Sequence, residues 1–174
     1  MKYFGGCDSG STYTKCVIID ETGKMVANVT LKSRINAVLS CQDALDQAVA
    51  QVPDLNSAED LTYLVGTGYG RNKVPFADEN ISEISCHAMG VHVADPTVKA
   101  IIDIGGQDVK GIAVDTDGTV LNFAMNDKCA AGTGMSLIAI IEDAFGIEFE
   151  PDEIMQFTSF AAGIDILKNH DIEF

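Results

Sequence analysis

Asp8-Ser9-Gly10-Ser11-Thr12-Tyr13-Thr14-Lys15 decides how this sequence is read, because the same plan returns as Asp103-Ile104-Gly105-Gly106-Gln107-Asp108-Val109-Lys110. Each copy follows a short apolar run, Tyr3 to Cys7 and Ala100 to Ile102. Each precedes another, Cys16 to Ile19 and Gly111 to Val114. That order predicts strand, tight glycine turn, strand, with an acid ending the first strand. Glycine lets the main chain approach a ligand closely, so the N–H groups of each turn can meet phosphate oxygens. Asp8 and Asp103 can orient Mg²⁺ through its waters, since Mg²⁺ takes oxygen ligands and keeps several waters. The expectation is two hairpins facing each other that grip a nucleotide's phosphates from both sides.

Working outward, residues 3–8, 14–20 and 25–31 read as three consecutive strands, the last two joined by Asp20-Glu21-Thr22-Gly23-Lys24. Ala44, Leu45, Ala48, Val49 and Val52 recur at helical spacing and predict a helix over 38–52 that stops at Pro53. Leu61 to Val65 is a strand running into Gly66-Thr67-Gly68-Tyr69-Gly70-Arg71, and Ser82 to Ala94 is a helix. The order then restarts. Residues 99–104, 109–114 and 119–125 form a second set of strands with Asp115-Thr116-Asp117-Gly118 as its turn. Helices follow over 134–145 and 151–160. Strand–strand–strand–helix therefore occurs twice at a spacing of about 95 residues, an internal duplication that is weak in sequence outside the loops. The expected boundary puts one subdomain at residues 1–97 and a second, partial one at 98–174.

The chain has 174 residues, 47% of them hydrophobic, with no Trp and eight Phe, which fits one or two globular domains. A net charge of −15 argues against nucleic acid or an anionic membrane as partner, and otherwise serves solubility. Lys2 runs straight into a strand-like segment and no apolar run approaches about 18 residues, so a cytoplasmic protein is expected. Five cysteines, Cys7, Cys16, Cys41, Cys86 and Cys129, form no CxxC pair and are odd in number; buried thiols are expected rather than disulfides.

The duplicated βββα plan with a phosphate hairpin in each half resembles the superfamily of actin, sugar kinases and the large heat-shock chaperones. That resemblance implies an α/β, actin-like ATPase (ribonuclease H-like) fold with the nucleotide in the cleft between the halves. A closer likeness lies in five motifs in one order. These are Cys7-Asp8-Ser9-Gly10-Ser11-Thr12, Gly66-Thr67-Gly68-Tyr69-Gly70-Arg71, Ser82-Glu83-Ile84-Ser85-Cys86-His87-Ala88, Asp103-Ile104-Gly105-Gly106-Gln107-Asp108 and Asn126-Asp127-Lys128-Cys129-Ala130-Ala131-Gly132-Thr133-Gly134. Together they resemble the ATPase activators of 2-hydroxyacyl-CoA dehydratases and the related ATPase subunits of benzoyl-CoA reductase, over about residues 1–150. The last string is the most specific of the five.

Asp8, Gly10, Ser11, Thr12 and Lys15 match the first phosphate loop: N–H groups and hydroxyls for the oxygens, an ammonium for the charge. Asp103, Gly105, Gly106, Gln107 and Asp108 match the second, with Gln107 placed to hold a water or touch a phosphate. Glu83 opens a helix. The resemblance places it facing the cleft, ordering the attacking water or the metal shell, with Asp103 and Gln107 as the other catalytic candidates, while the helix dipole alone also favours an acid there. His87 reads first as a packed, satisfied histidine; His92 and His170 suggest nothing. Arg71 reads either as a phosphate clamp or as part of a flexible loop. Cys129 sits among small residues before a helix N-terminus, where a thiolate is stabilised. In the resembling activators this cysteine is one of two per subunit, and a homodimer supplies four thiolates to one [4Fe–4S] cluster.

The sequence departs from that pattern in two ways. No cysteine follows Cys129, so two copies supply two ligands where a cubane normally takes four; this chain is not expected to hold the cluster by itself. The further strand–helix units and the adenosine loop of the resembling proteins are also absent, so a truncated or split product is expected. The leading reading is an activator that binds Mg-ATP and drives an electron, supplied by a ferredoxin or flavodoxin, onto an acyl-CoA dehydratase or reductase. The alternatives are a non-catalytic or partner-dependent half and a small-molecule phosphotransferase, which would leave the Cys129 string unexplained.

Overall fold

Alternation builds the first sheet. Along β1 (Tyr3–Ser9) the buried residues are Tyr3, Gly5, Cys7 and Ser9, and along β2 (Tyr13–Asp20) they are Thr14, Cys16 and Ile18. Burial at every second residue turns one face of this hairpin to the core and places Asp8 and Lys15 on the opposite face. The computed structural model describes residues 1–104, 109–126, 134–157 and 160–172. β3 (Met25–Lys32), β4 (Tyr63–Thr67) and the two-residue β5 (Glu79–Asn80) complete a mixed sheet of order β3-β2-β1-β4-β5, with β1 and β4 parallel.

Helix α1 (Ala37–Val49) packs on β1, β2 and β3 and buries Cys41, Ala44, Leu45, Ala48 and Val49. Asn36 caps it: its Oδ1 accepts from the N–H groups of Val38 and Leu39, two of the donors a helix start leaves unpaired. The helix ends earlier than the expected residue 52. Gln51 and Val52 donate to the carbonyls of Ala48 and Val49, three residues back, so the chain tightens into turns before Pro53.

The chain divides into two units, Met1–Cys86 and His87–Phe174, the division falling inside α2 (Glu83–Ala94). The second unit holds the antiparallel sheet β6 (Ala100–Ile104), β7 (Val109–Val114) and β8 (Val120–Asn126). Helix α3 (Gly134–Phe145) lies on β7 and β8. A core of Ile138, Ile141, Phe149, Ile166 and Leu167 joins it to the segment that follows.

Beyond the expected helix at 151–160 the structure differs. α4 (Pro151–Gln156) stops at Phe157, and a further helix, α5 (Phe160–Asn169), follows. Gly163 lowers helix propensity there. Its place is explained by packing: a Cβ at Gly163 would come within 2.5 Å of the Phe157 ring.

The duplication is visible in backbone detail. Asp8 stands opposite Lys15 and Asp103 opposite Lys110. A register shift falls between Ile18 and Ile19 in one sheet and between Ala113 and Val114 in the other. Both hairpin turns start with an aspartate whose carboxylate accepts backbone N–H bonds, Asp20 from Thr22 and Lys24, Asp115 from Asp117 and Thr119. Both then pass through a glycine at positive φ, Gly23 and Gly118. Among the described residues no helix is long and apolar enough to cross a membrane.

Candidate functional site

The first Gly/Asp turn is held from several directions. Lys15 Nζ donates to Asp8 Oδ2 at 2.9 Å, the two side chains facing each other across β1 and β2. Ser33, just past β3, donates its hydroxyl to the Gly10 carbonyl at 2.7 Å and shares a 2.9 Å hydrogen bond with the buried Thr14 hydroxyl. The Ser33 N–H also donates to the Thr12 carbonyl. The turn's carbonyls at Gly10 and Thr12 are thus engaged from behind, while Ser11 and Thr12 are exposed. That arrangement leaves two hydroxyls for an anion. Nothing in the run 8–15 signals Ser33, which sequence reasoning missed because its partners are formed only when β3 pairs.

The Gly66–Arg71 segment packs beside the same turn. Thr67 stands opposite Asp8 in the parallel pairing, and Gly70 N–H donates to the Ser9 carbonyl at 2.9 Å. Gly68 has φ +86°, and a Cβ there would strike Asp8 Oδ1 as well as the Ser9 backbone. Glycine at 68 is therefore required both by the left-handed backbone and by the space Asp8 occupies. Arg71 Nη1 donates to the Gly68 carbonyl at 3.3 Å, so this arginine braces its own loop.

In the second unit the acid at the end of β6 has two basic neighbours. Lys110 Nζ donates to Asp103 Oδ2 at 3.4 Å, and His87 Nδ1 lies 3.1 Å from the same oxygen. His87 is not a packed core residue; it is exposed and pairs with Asp103. The sequence held a signal for Lys110, its offset from Asp103 being that of Lys15 from Asp8. Gly105, Gly106, Gln107 and Asp108 of the second turn lie outside the described residues, as does Cys129. Glu83 is the first residue of α2, half-buried, in a turn where Ser82 Oγ accepts from the Ile84 N–H.

The remaining cysteines are placed as expected for structural thiols. Cys7, Cys16 and Cys41 are fully buried between α1 and the first sheet, and Cys86 is half-buried in α2. Hydrogen bonding to Cys16, reinforced by burial, pushes the Cys7 thiol far above its ordinary value, and the bond to Cys7 with burial does the same for Cys41. Both remain S–H, the wrong form for metal ligation. Among the described residues no group of three or more His, Cys, Asp or Glu side chains is arranged to hold a metal ion directly. Cys7 and Cys41, buried and raised, do not offer thiolates to a metal. Asp8 and Asp103 are hard oxygen donors of the kind that hold Mg²⁺ through water.

The chain is 47% identical over 135 residues to the activator of lactoyl-CoA dehydratase of Anaerotignum propionicum, covering 78% of this chain and 51% of that protein. It is 46% identical over 140 residues to the (R)-2-hydroxyglutaryl-CoA dehydratase activating ATPase of Acidaminococcus fermentans, with 78% and 51% covered. The chain thus spans about half the length of the curated relatives it matches. Its fold superposes on the activator of the 2-hydroxyisocaproyl-CoA dehydratase from Clostridium difficile with bound ADPNP. That match has a TM-score of 0.67 and 34% identity, over 97% of this chain and 66% of the other. The fold is the actin-like ATPase fold. Residues 6–161 match the model of one family, and on that match this chain belongs to the BadF/BadG/BcrA/BcrD ATPase family.

Proposed function

We propose that this chain binds Mg-ATP through its two Gly/Asp turns and serves as an ATP-hydrolysing activator of an acyl-CoA dehydratase or reductase. The observation that carries the reading is the carboxylate–lysine pair repeated at the mouth of each hairpin, Asp8 with Lys15 and Asp103 with Lys110. Family membership and relatives that activate dehydratases support it.

In this reading Gly10, Ser11, Thr12 and Lys15 take one set of phosphate oxygens and Gly105, Gly106, Gln107 and Asp108 the other. Lys15 is free to leave Asp8 for a phosphate because its side chain is 55% exposed and an exposed ion pair contributes little, about 0–1 kcal/mol. Asp8 and Asp103 would hold Mg²⁺ through its waters. The ion, when bound, neutralises phosphate charge and orients the terminal phosphoryl group. Glu83, Asp103 and Gln107 order the attacking water. The water oxygen bonds to the γ-phosphorus, the bond to the β,γ-bridging oxygen breaks with its electron pair leaving on ADP, and the water's proton passes to solvent.

A homodimer, recharged in the cytoplasm by a ferredoxin or flavodoxin, is the larger setting proposed for such an activator. In that setting Cys129 gives a symmetric dimer two thiolates toward a shared [4Fe–4S] cubane, which takes four. The testing experiment is calorimetric titration of the chain with Mg-ATP. Saturable binding that weakens by about 10-fold or more in D8N supports the reading. Absence of saturable binding to the wild-type chain overturns it.

A further inference from the structure

The two carboxylate–lysine pairs share a register but not an environment. Lys15 is 55% exposed, whereas the Lys110 side chain is 4% exposed. A buried ammonium is costly unless it is paired, so burial favours the Lys110–Asp103 pairing. A second basic group, His87 at the start of the same unit, reaches the same atom, Asp103 Oδ2. The His87–Asp103 contact is an approach at ion-pair distance. The sequence signals Lys110 through the repeat, but not its burial.

We infer that Lys110 and His87 are positioning residues that lock the Asp103 carboxylate in one orientation, while Lys15 is the mobile cation that leaves its carboxylate for the nucleotide. This inference rests on the proposed ATP-hydrolysing function and adds a division of labour to it. Asp8, with its releasable partner, responds to nucleotide arrival. Asp103, gripped through Oδ2 by two groups, presents a fixed acceptor to the attacking water. Fixing an acceptor matters to the rate and little to affinity, because water orientation is needed at the transition state rather than for binding.

The test uses the full 174-residue chain, measuring Mg-ATP affinity by calorimetry, phosphate release in a single turnover, and the melting temperature. Both K110M and H87A are expected to release phosphate about 10-fold or more slowly while affinity stays within about 3-fold of wild type. H87N, which keeps a polar nitrogen on the side chain facing Asp103, restores most of the rate, and K110R restores part of it. K15A is expected to show the opposite split, a loss of affinity. Rates for K110M and H87A within about two-fold of wild type overturn the inference alone. So does a loss of affinity and melting temperature in proportion to the rate, or H87N behaving as H87A. Wild-type chain that binds no Mg-ATP, or binds it without releasing phosphate, overturns the proposed function and this inference with it.

Discussion

Single residues at the first turn carry unequal weight. Gly68 is fixed by backbone and by space at once, so G68A forces either a strained left-handed alanine or a displaced Asp8. A destabilisation of about 1–3 kcal/mol is expected in urea unfolding, and a change below about 0.5 kcal/mol would contradict the packing described. The cysteines behave oppositely to catalytic thiols. Cys7 and Cys41, raised by hydrogen bonding and burial, are expected to resist iodoacetamide in the folded protein at about pH 8 and to react once urea is added. Labelling of either in the folded chain as fast as Cys86 would refute this. Asp8, Lys15 and Asp103 were legible from the sequence because strand registry follows directly from the turn between them. Ser33 and the Gly68–Asp8 contact were not, since residues far apart in the chain meet there only after the sheet assembles. His87 went the other way: it read first as a packed histidine rather than one bonded near the cleft, but it is exposed and faces Asp103.

At the level of elements, short apolar runs between turn signals made seven of the strands readable, and β4 starts two residues later than expected because the Leu61 N–H is still turned back onto the Ala58 carbonyl. β5 was not readable, since two residues paired to β4 leave no pattern. α5 was hidden by Gly163, whose justification is the Phe157 ring rather than any local preference. The two hairpin turns make a shared prediction about pH. Asp20 is held below the usual carboxylate range by the Thr22 hydroxyl and N–H, and Asp115 by the N–H groups of Thr119 and Asp117. A folded pKa below the unfolded one adds stability above the unfolded value and loses it as pH falls through the folded value. The melting temperature is therefore expected to hold between about pH 7 and 5 and to drop below about pH 4. Thermal scans by circular dichroism decide this, and a melting temperature that rises between pH 5 and 3 would contradict it.

For the molecule as a whole, the duplicated architecture argues for one job done twice with different parts. Both units carry an acid at a strand end, a lysine opposite, a register shift further along and an Asp-to-Gly turn. Burial of Lys110 and exposure of Lys15 then separate the two copies chemically. The sequence displayed the repeat because glycine and acid recur at the same offsets in both turns. It concealed the asymmetry, because burial of Lys110 depends on what packs over β7 and not on its neighbours in the chain. The central claim is that these turns are triphosphate sites. The most direct measurement is calorimetric titration of the chain with Mg-ATP and with Mg-AMP, in wild type and D8N. The account predicts saturable Mg-ATP binding by the wild type, weakened about 10-fold or more either by D8N or by removing the β- and γ-phosphates. Equal affinity for Mg-AMP and Mg-ATP, or unchanged affinity in D8N, would contradict it.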